Sequence, residues 1–182
     1  MDELVDILDE NGNYTGKVEL KSKAHLLGLF HPTINVWCYT ESGKVLLQQR
    51  GKNKDTFPLK WDVSVAGHIG AGESAELGAL REMEEEIGVS ATQNDLEKIG
   101  TLKKEVKHSE SLFDREFCHV FLCQLNEHVT LKKQDSEVEA LKWITLDEFK
   151  PWISSKHQGL IPNSEERFSK AISAIETRIS KN

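Results

Sequence analysis

The sequence predicts an α/β fold in which helices cover both faces of a mixed β-sheet. Apolar and polar residues alternate in segments along most of the chain, which is typical of half-buried strands. Two longer stretches instead carry apolar residues at helical spacing, one in the middle of the chain and one near its end. The 182 residues are enough for one domain with a substantial core, so we expect residues 1–182 to form a single domain.

Alternating or β-branched segments flanked by turn residues predict the strands in chain order. They lie at residues 4–8, 17–20, 33–40, 44–50, 61–66, 96–107, 116–125 and 138–144. The first two flank the turn residues 11–13, so residues 1–30 are expected to be a hairpin-like lead-in. Residues 147–149 are predicted to form a short helical turn. A C-terminal helix is expected at about 164–180, with Ser164 as its N-cap.

The middle helix is predicted from about Ser74 to Ile87, because Gly88 stands where a left-handed C-terminal cap is favoured. Four apolar residues define its expected core face: Leu77, Leu80, Met83 and Ile87. On the other side, Glu82, Glu85 and Glu86 fall within an arc of roughly 100°. The helix is therefore expected to pack one face on the sheet and to present carboxylates on the other.

Carboxylates crowded on one helix face repel one another, which indicates a bound cation. Oxygen ligands favour Mg²⁺ or Mn²⁺ over zinc. The loop before the helix contains Gly67, Gly70 and Gly72, which allow a close approach to such an ion, and the carbonyl of Gly67 is a further expected ligand. Arg81 can reach Glu73 and lock the loop to the helix. A solvated acidic surface is the alternative interpretation.

Composition restricts the function further. The formal net charge of -7 disfavours nucleic-acid binding, and no apolar run is long enough to span a membrane. Cys38, Cys118 and Cys123 lie in predicted strands and are expected to be buried free thiols in a reducing compartment. The first residues lack the features of a signal peptide. A cytoplasmic location is therefore expected.

The pattern at residues 67–89 is much narrower than a generally acidic helix. Its defining positions are Gly67, Glu73, Arg81, Glu82, Glu85, Glu86 and Gly88, with apolar residues at 83 and 89. This pattern resembles the signature of the Nudix hydrolases, with every defining position filled. The resemblance implies an α/β/α sandwich with a mixed sheet and a magnesium- or manganese-dependent hydrolysis of a small-molecule diphosphate.

Further segments resemble the type I isopentenyl-diphosphate isomerase branch of this superfamily, over about residues 1–150. They are residues 25–31, 46–50 and 58–68. The isomerases carry a catalytic cysteine where this chain has Ala66. Isomerisation needs an acid and a base on opposite faces of the substrate, and alanine has no transferable proton. We therefore predict a diphosphate hydrolase, with an isomerase or a non-catalytic ligand-sensing domain as alternatives.

The resemblance also implies roles for single residues. Glu82, Glu85, Glu86 and the Gly67 carbonyl are the expected metal ligands, Glu85 or Glu86 shares the role of base, and Glu73 and Arg81 orient them. Glu116 matches a site glutamate of the isomerases, and Asp114 is a shortened counterpart of another. Glu137 and Glu139 are weaker candidates for the base.

Three histidines and a basic segment complete the candidate site. His25 and His31 match positions near two metal-ligating histidines of the isomerases, and His68 matches a third; together they could build a second metal site or bind a phosphate. Arg50 is expected to contact the diphosphate, with Lys52 and Lys54 as weaker candidates. Trp37, Trp61 and Phe57 could line an organic pocket but are more often core residues. The substrate can be nucleoside-linked or prenyl, and homodimers are common in the family.

Overall fold

The fold begins with a two-stranded antiparallel hairpin that leads into a central mixed sheet. The computed structural model describes residues 2–180. The N-terminal elements are β1 (Leu4–Leu8), β2 (Tyr14–Leu20) and α1 (Lys21–Leu27). The hairpin was predicted, whereas α1 was not. This helix has only seven residues and too short an apolar pattern to stand out in the sequence.

The central sheet has seven strands, and its helices lie on both faces, as the sequence predicts. The strands are β3 (His31–Tyr39), β4 (Lys44–Arg50), β5 (Trp61–Asp62), β6 (Val65–His68), β7 (Leu96–Ser109), β8 (Leu112–Gln124) and β9 (Val138–Thr145). The strand order is β5-β4-β3-β8-β7, with β6 paired to β3 and β9 paired to β4. Strands β3 and β8 are parallel, and the other pairs are antiparallel.

Alternate residues of β3 build the two halves of the core. Ile34 and Val36 face α2 (Ala75–Ile87) on one side of the sheet. Trp37 faces α3 (Leu146–Ser154) and α4 (Glu165–Ile179) on the other, and its ring meets Phe168 edge-on at 5.0 Å between centroids. Trp37 is therefore a core residue and does not line an organic pocket. Within the described residues, no helix combines the length and the apolar character needed to cross a membrane.

The segment predicted as one strand at 61–66 is divided into β5 and β6. Between them, the Ser64 hydroxyl accepts a hydrogen bond from the Cys38 amide at 2.8 Å and donates one to the Leu46 carbonyl at 2.6 Å. The side chain thus replaces backbone pairing between β3 and β4, which have only Tyr39 and Val45 as register partners.

Three details of the helices differ from the predictions. Leu77 was expected on the core face of α2 but is 49% exposed, because the face that packs on the sheet contains Ala79, Met83 and Ile87 and leaves Leu77 outside it. Ser164 is the N-cap residue of α4, as predicted, but its hydroxyl donates to the carbonyl of Ile161 at 2.7 Å and accepts no capping hydrogen bond from the helix. The turn expected at 147–149 is the nine-residue helix α3, which a capping box of Thr145 and Glu148 stabilises.

Candidate active site

Helix α2 has the boundaries that its terminal residues predict. The Ser74 hydroxyl accepts a hydrogen bond from the Leu77 amide at 3.2 Å, and Gly88 adopts φ 70° at the C-cap. Met83 and Ile87 are fully buried against the sheet. These contacts fix the rotation of α2, so that Glu82 and Glu86 point toward β6 and the adjacent strands.

Arg81 ties the glycine loop to α2, as the sequence predicts. Its guanidinium donates two hydrogen bonds to Glu73, with Nε–Oε1 at 3.2 Å and Nη2–Oε2 at 3.1 Å. Nη2 also donates to the carbonyl of His68 at 2.8 Å, and Nη1 donates to Glu82 at 2.9 Å. Glu73 in turn accepts from the Gly70 amide at 2.9 Å. The loop, the end of β6 and the helix therefore form one hydrogen-bonded unit.

The carboxyl group of Glu82 lies directly against the backbone of Gly67. A Cβ atom placed on Gly67 would overlap this carboxyl group, so only glycine fits here. Glu82 is 8% exposed. Burial raises its pKa, although the positive charge of Arg81 opposes that effect. This arrangement puts a buried carboxylate beside the backbone from which a carbonyl ligand was expected.

Glu86 is the most deeply buried acid of the signature. Its Oε2 accepts hydrogen bonds from Gln48 Nε2 at 2.8 Å and from the Ala66 amide at 3.1 Å. Burial raises the pKa of Glu86 to about 8, and the nearby charge of Glu82 adds to the effect. Without a cation the side chain is therefore mostly protonated at neutral pH.

Glu85 differs from its two neighbours because its side chain is 47% exposed. Its contact is with Arg81 Nη1 at 3.3 Å. Two buried carboxyl groups with raised pKa values and one exposed carboxylate thus line one face of α2. A hard divalent cation fits the buried pair, because it would stabilise the ionised forms that burial disfavours.

His25, His31 and His68 come together although they belong to α1, β3 and β6. Their potential ligand atoms all lie within 4.8 Å of one another, and among residues 2–180 no other set of three or more histidine, cysteine or acidic residues is so close. His25 Nε2 is 3.1 Å from His68 Nε2. The structure therefore gathers all three histidines that the isomerase resemblance singled out.

The hydrogen bonds of these histidines indicate which nitrogen atoms are free. His25 Nδ1 lies 3.0 Å from the Phe113 carbonyl, and His31 Nδ1 lies 2.9 Å from the Leu29 carbonyl. A carbonyl only accepts, so these Nδ1 atoms carry the protons and the Nε2 lone pairs face the cluster. His31 Nε2 is buried and has no hydrogen-bond partner among residues 2–180. A cation that prefers imidazole ligands fits this unsatisfied atom.

Two acidic residues of β8 border the histidine cluster. Asp114 Oδ1 is 3.4 Å from His25, and its Oδ2 is 2.9 Å from His108 and 2.7 Å from Lys104. Burial alone would raise the pKa of Asp114, but these three partners outweigh it and lower the pKa. Glu116 is also buried, 3.5 Å from Lys104, and so does not face solvent.

Two side chains of the basic segment at residues 50–54 already have partners within the protein. Arg50 donates from Nε and Nη2 to the carbonyl and hydroxyl of Thr56, both at 2.9 Å, and lies 4.0 Å from Asp62. Lys54 pairs with Glu137, which makes that carboxylate a poor base.

The remaining weaker candidates are either exposed or partly buried. Lys52 and Glu139 are exposed. Trp61 and Phe57 are partly buried, and the Phe57 ring lies edge-on to His108 at 5.4 Å between centroids.

Several polar residues near the site were not predicted. They are Gln48, Asp62, Lys104, His108 and Arg167. Gln48 had a signal, because a glutamine in a run of apolar strand residues is unusual. Asp62 and Arg167 had none, since they are 105 residues apart, and Lys104 and His108 meet Asp114 only through the pairing of β7 with β8.

Comparison with known proteins agrees with this geometry. The sequence profile of the NUDIX domain matches residues 29–163. The chain is 37% identical over 175 residues to an uncharacterized Nudix hydrolase of Clostridium acetobutylicum, covering 91% of this chain and 84% of that protein. It is 33% identical over 166 residues to Nudix hydrolase 3 of Arabidopsis thaliana, but it spans only 22% of the length of that protein, against 88% of this chain. An isopentenyl-diphosphate Δ-isomerase of Nocardia farcinica is 28% identical over 159 residues, covering 87% of this chain and 88% of that protein.

Solved structures show the same fold at low sequence identity. DR0079 from Deinococcus radiodurans superposes with a TM-score of 0.69 at 18% identity, covering 90% of this chain and 96% of that one. The Nudix domain of Shewanella oneidensis NrtR, solved with ADP ribose, gives a TM-score of 0.58 at 19% identity, covering 79% of this chain and 87% of that one. The profile match covers the sheet, the signature helix and the histidine cluster from His31 onward. The chain therefore belongs to the Nudix hydrolase superfamily.

Proposed function

We propose that this protein is a divalent-metal-dependent hydrolase of an organic diphosphate. The observation that carries the proposal is a pair of buried carboxyl groups: Glu82, which lies against Gly67 and contacts Arg81, and Glu86, which is held by hydrogen bonds at β6 and β4. Burying two acids side by side is unfavourable unless a positive charge joins them. Arg81 is already shared with Glu73, so Glu86 has no cation of its own among its hydrogen-bond partners, Gln48 and Ala66.

In this proposal Mg²⁺ or Mn²⁺ would be held by Glu82, Glu86 and the Gly67 carbonyl, with Glu85 at the exposed edge. Such an ion neutralises phosphate charge and lowers the pKa of a bound water. The two hydrogen bonds to Glu86 both reach Oε2, so Oε1 carries the proton of the neutral acid and becomes available when that proton leaves. Glu85 is accessible to water and can accept a proton from the attacking water. Arg50 would contact the diphosphate, and Lys54 is a weaker candidate because it is paired with Glu137.

The test is a hydrolysis screen of the purified protein with Mg²⁺ or Mn²⁺. The panel contains nucleoside diphosphate sugars, dinucleotides, oxidised triphosphates and prenyl diphosphates, and mass spectrometry identifies the products. We expect Glu86→Gln and Glu85→Gln to lower turnover at least about 100-fold, as loss of a positioned acid–base or charge-stabilising group does. Glu84→Gln is the matched control, because Glu84 lies on the exposed side of the same helix. Unchanged turnover in both site variants would contradict the assignment.

Isopentenyl-diphosphate isomerisation is a second candidate because of the histidine cluster with its neighbouring Asp114 and Glu116. The isomerase relative from Nocardia farcinica is similar along most of its length. Against this candidate, isomerisation needs both an acid and a base, and Ala66 has no transferable proton. Incubation with isopentenyl diphosphate distinguishes the two reactions. Isomerisation yields dimethylallyl diphosphate with its diphosphate intact, whereas hydrolysis releases phosphate or diphosphate.

A further inference from the structure

A buried polar group lies on the α4 side of the sheet, beside the proposed diphosphate site. Arg167, in the first turn of α4, donates from Nη2 to Asp62 Oδ1 at 2.8 Å. Its Nη1 lies 3.0 Å from the Asn35 side-chain oxygen when that amide is oriented to accept. Asp62 and Asn35 are 5% and 4% exposed. We call these three residues the polar wall.

The polar wall adjoins both the expected diphosphate contact and the position that carries cysteine in the isomerases. Asp62 lies between two arginines, with Arg50 at 4.0 Å from Oδ2 and Arg167 on Oδ1. Asn35 on β3 is the register partner of Ala66 on β6. A diphosphate held at Arg50 would therefore lie close to Asp62 of the polar wall.

The floor next to the polar wall is also charged. Lys104 on β7 contacts Asp114 at 2.7 Å and Glu116 at 3.5 Å. Its positive charge lies within electrostatic range of that of Arg167. A hydrocarbon chain placed here would remove water from charged groups without replacing their hydrogen bonds, which is unfavourable. A hydroxylated group would supply those bonds.

Helix anchoring is the competing explanation for the Arg167–Asp62 pair. However, α4 already packs on the sheet through Phe168, Ala171 and Ile172, which are all buried. The Arg167 side chain also remains 24% exposed, so a ligand can still reach its guanidinium.

We propose that Arg167, Asp62 and Asn35 determine specificity by selecting a hydrogen-bonding substituent on the diphosphate over a hydrocarbon chain. This inference rests on the proposed function and adds to it the class of substituent and the residues that recognise it. Arg167 would act as a positioning residue, because the proposed diphosphate chemistry takes place at α2.

The experiment compares ADP-ribose, which has hydroxylated sugars on its diphosphate, with geranyl diphosphate, which has a hydrocarbon chain. We expect wild type to have the higher kcat/KM for ADP-ribose. Arg167→Gln should lower the ratio of the two kcat/KM values at least about tenfold, as expected for losing a charge-assisted hydrogen bond, and Arg167→Lys should restore part of it. Asn35→Leu should shift the ratio the same way. Arg178→Gln is the matched control. Arg178 also pairs α4 with the sheet, through Glu97, but it is not part of the polar wall.

Thermal unfolding of each variant shows whether its stability has changed. If Arg167 only anchors the helix, its substitution should lower the turnover of both compounds in the same proportion. A wild-type preference for geranyl diphosphate, or equal losses for both compounds in Arg167→Gln, would overturn the inference and leave the hydrolase assignment standing. If neither compound nor any other diphosphate is hydrolysed, the proposed function fails instead. Calorimetry then decides on the polar wall, because equal ADP-ribose affinity of wild type and Arg167→Gln would refute it.

Discussion

Glu86 shows how burial changes the chemistry of a single carboxyl group. It has the same side chain as the exposed Glu84, yet its pKa is raised to about 8, chiefly by burial. In the unfolded chain the pKa returns to its ordinary value near 4.5. The folded, cation-free protein therefore binds a proton that the unfolded chain has lost. This contribution to stability is fully present below about pH 4.5 and is lost as the pH rises through about 8.

Glu86→Gln should remove this pH dependence. The glutamine Oε1 can still accept from Gln48 and from the Ala66 amide, and it carries no charge. Each pKa unit corresponds to about 1.4 kcal/mol, so the effect amounts to a few kcal/mol. With metals removed by a chelator, we expect the variant to melt several degrees above wild type at pH 8.5, and the difference to shrink at pH 5. Glu84→Gln should show no such change, and an equal difference at both pH values would contradict the prediction.

At the scale of elements, the contact between β6 and α2 depends on the missing side chain of Gly67. Gly67→Ala would place a methyl group on the Glu82 carboxyl. We expect a loss of about 1–3 kcal/mol in the free energy of unfolding, as overpacking causes, together with a loss of hydrolysis. Chemical denaturation measures the first effect, and turnover measures the second.

Two further variants test the reason for that loss. Gly70→Ala is the matched control in the same loop, because its Cβ would meet Glu73 only at an ordinary 3.5 Å. The double variant Gly67→Ala/Glu82→Ala should regain stability but not activity. If the double variant is no more stable than Gly67→Ala, the steric explanation is wrong.

At the scale of the whole molecule, the histidine cluster exists because α1, β3 and β6 meet. Burial lowers the pKa of His31 and of His68, so both are neutral and can ligate at neutral pH. We expect Co²⁺ or Zn²⁺ to raise the melting temperature, by an amount corresponding to about 2.7 kcal/mol at a hundredfold excess over Kd.

Variants separate this site from the carboxylates of α2. His25→Gln should lose most of the Co²⁺-induced stabilisation, whereas Glu86→Gln should keep it. His128→Gln, in an exposed loop, is the matched control. Equilibrium dialysis gives the number of bound ions. Equal Co²⁺ binding by wild type and His25→Gln would rule out the cluster as a metal site.

Sequence patterns predicted the features that depend on neighbouring residues. The caps of α2 and the Arg81–Glu73 pair lie within one helix and its preceding loop, where helical geometry sets which side chains meet. The signature of residues 67–89 therefore predicts the candidate site from local sequence alone. The mixed sheet with helices on both faces followed in the same way from alternation and helical periodicity.

Tertiary structure alone decided which distant residues lie together at the candidate site. Nothing in the local pattern indicates that Arg167 meets Asp62, that Lys104 lies beside Glu116, or that Glu86 is buried enough to keep a proton at neutral pH. The physical reason is the separation along the chain over which each effect acts. Periodicity and capping act over a few residues, whereas burial and charge pairing depend on strand order and register, which bring residues 35, 62 and 167 to one place.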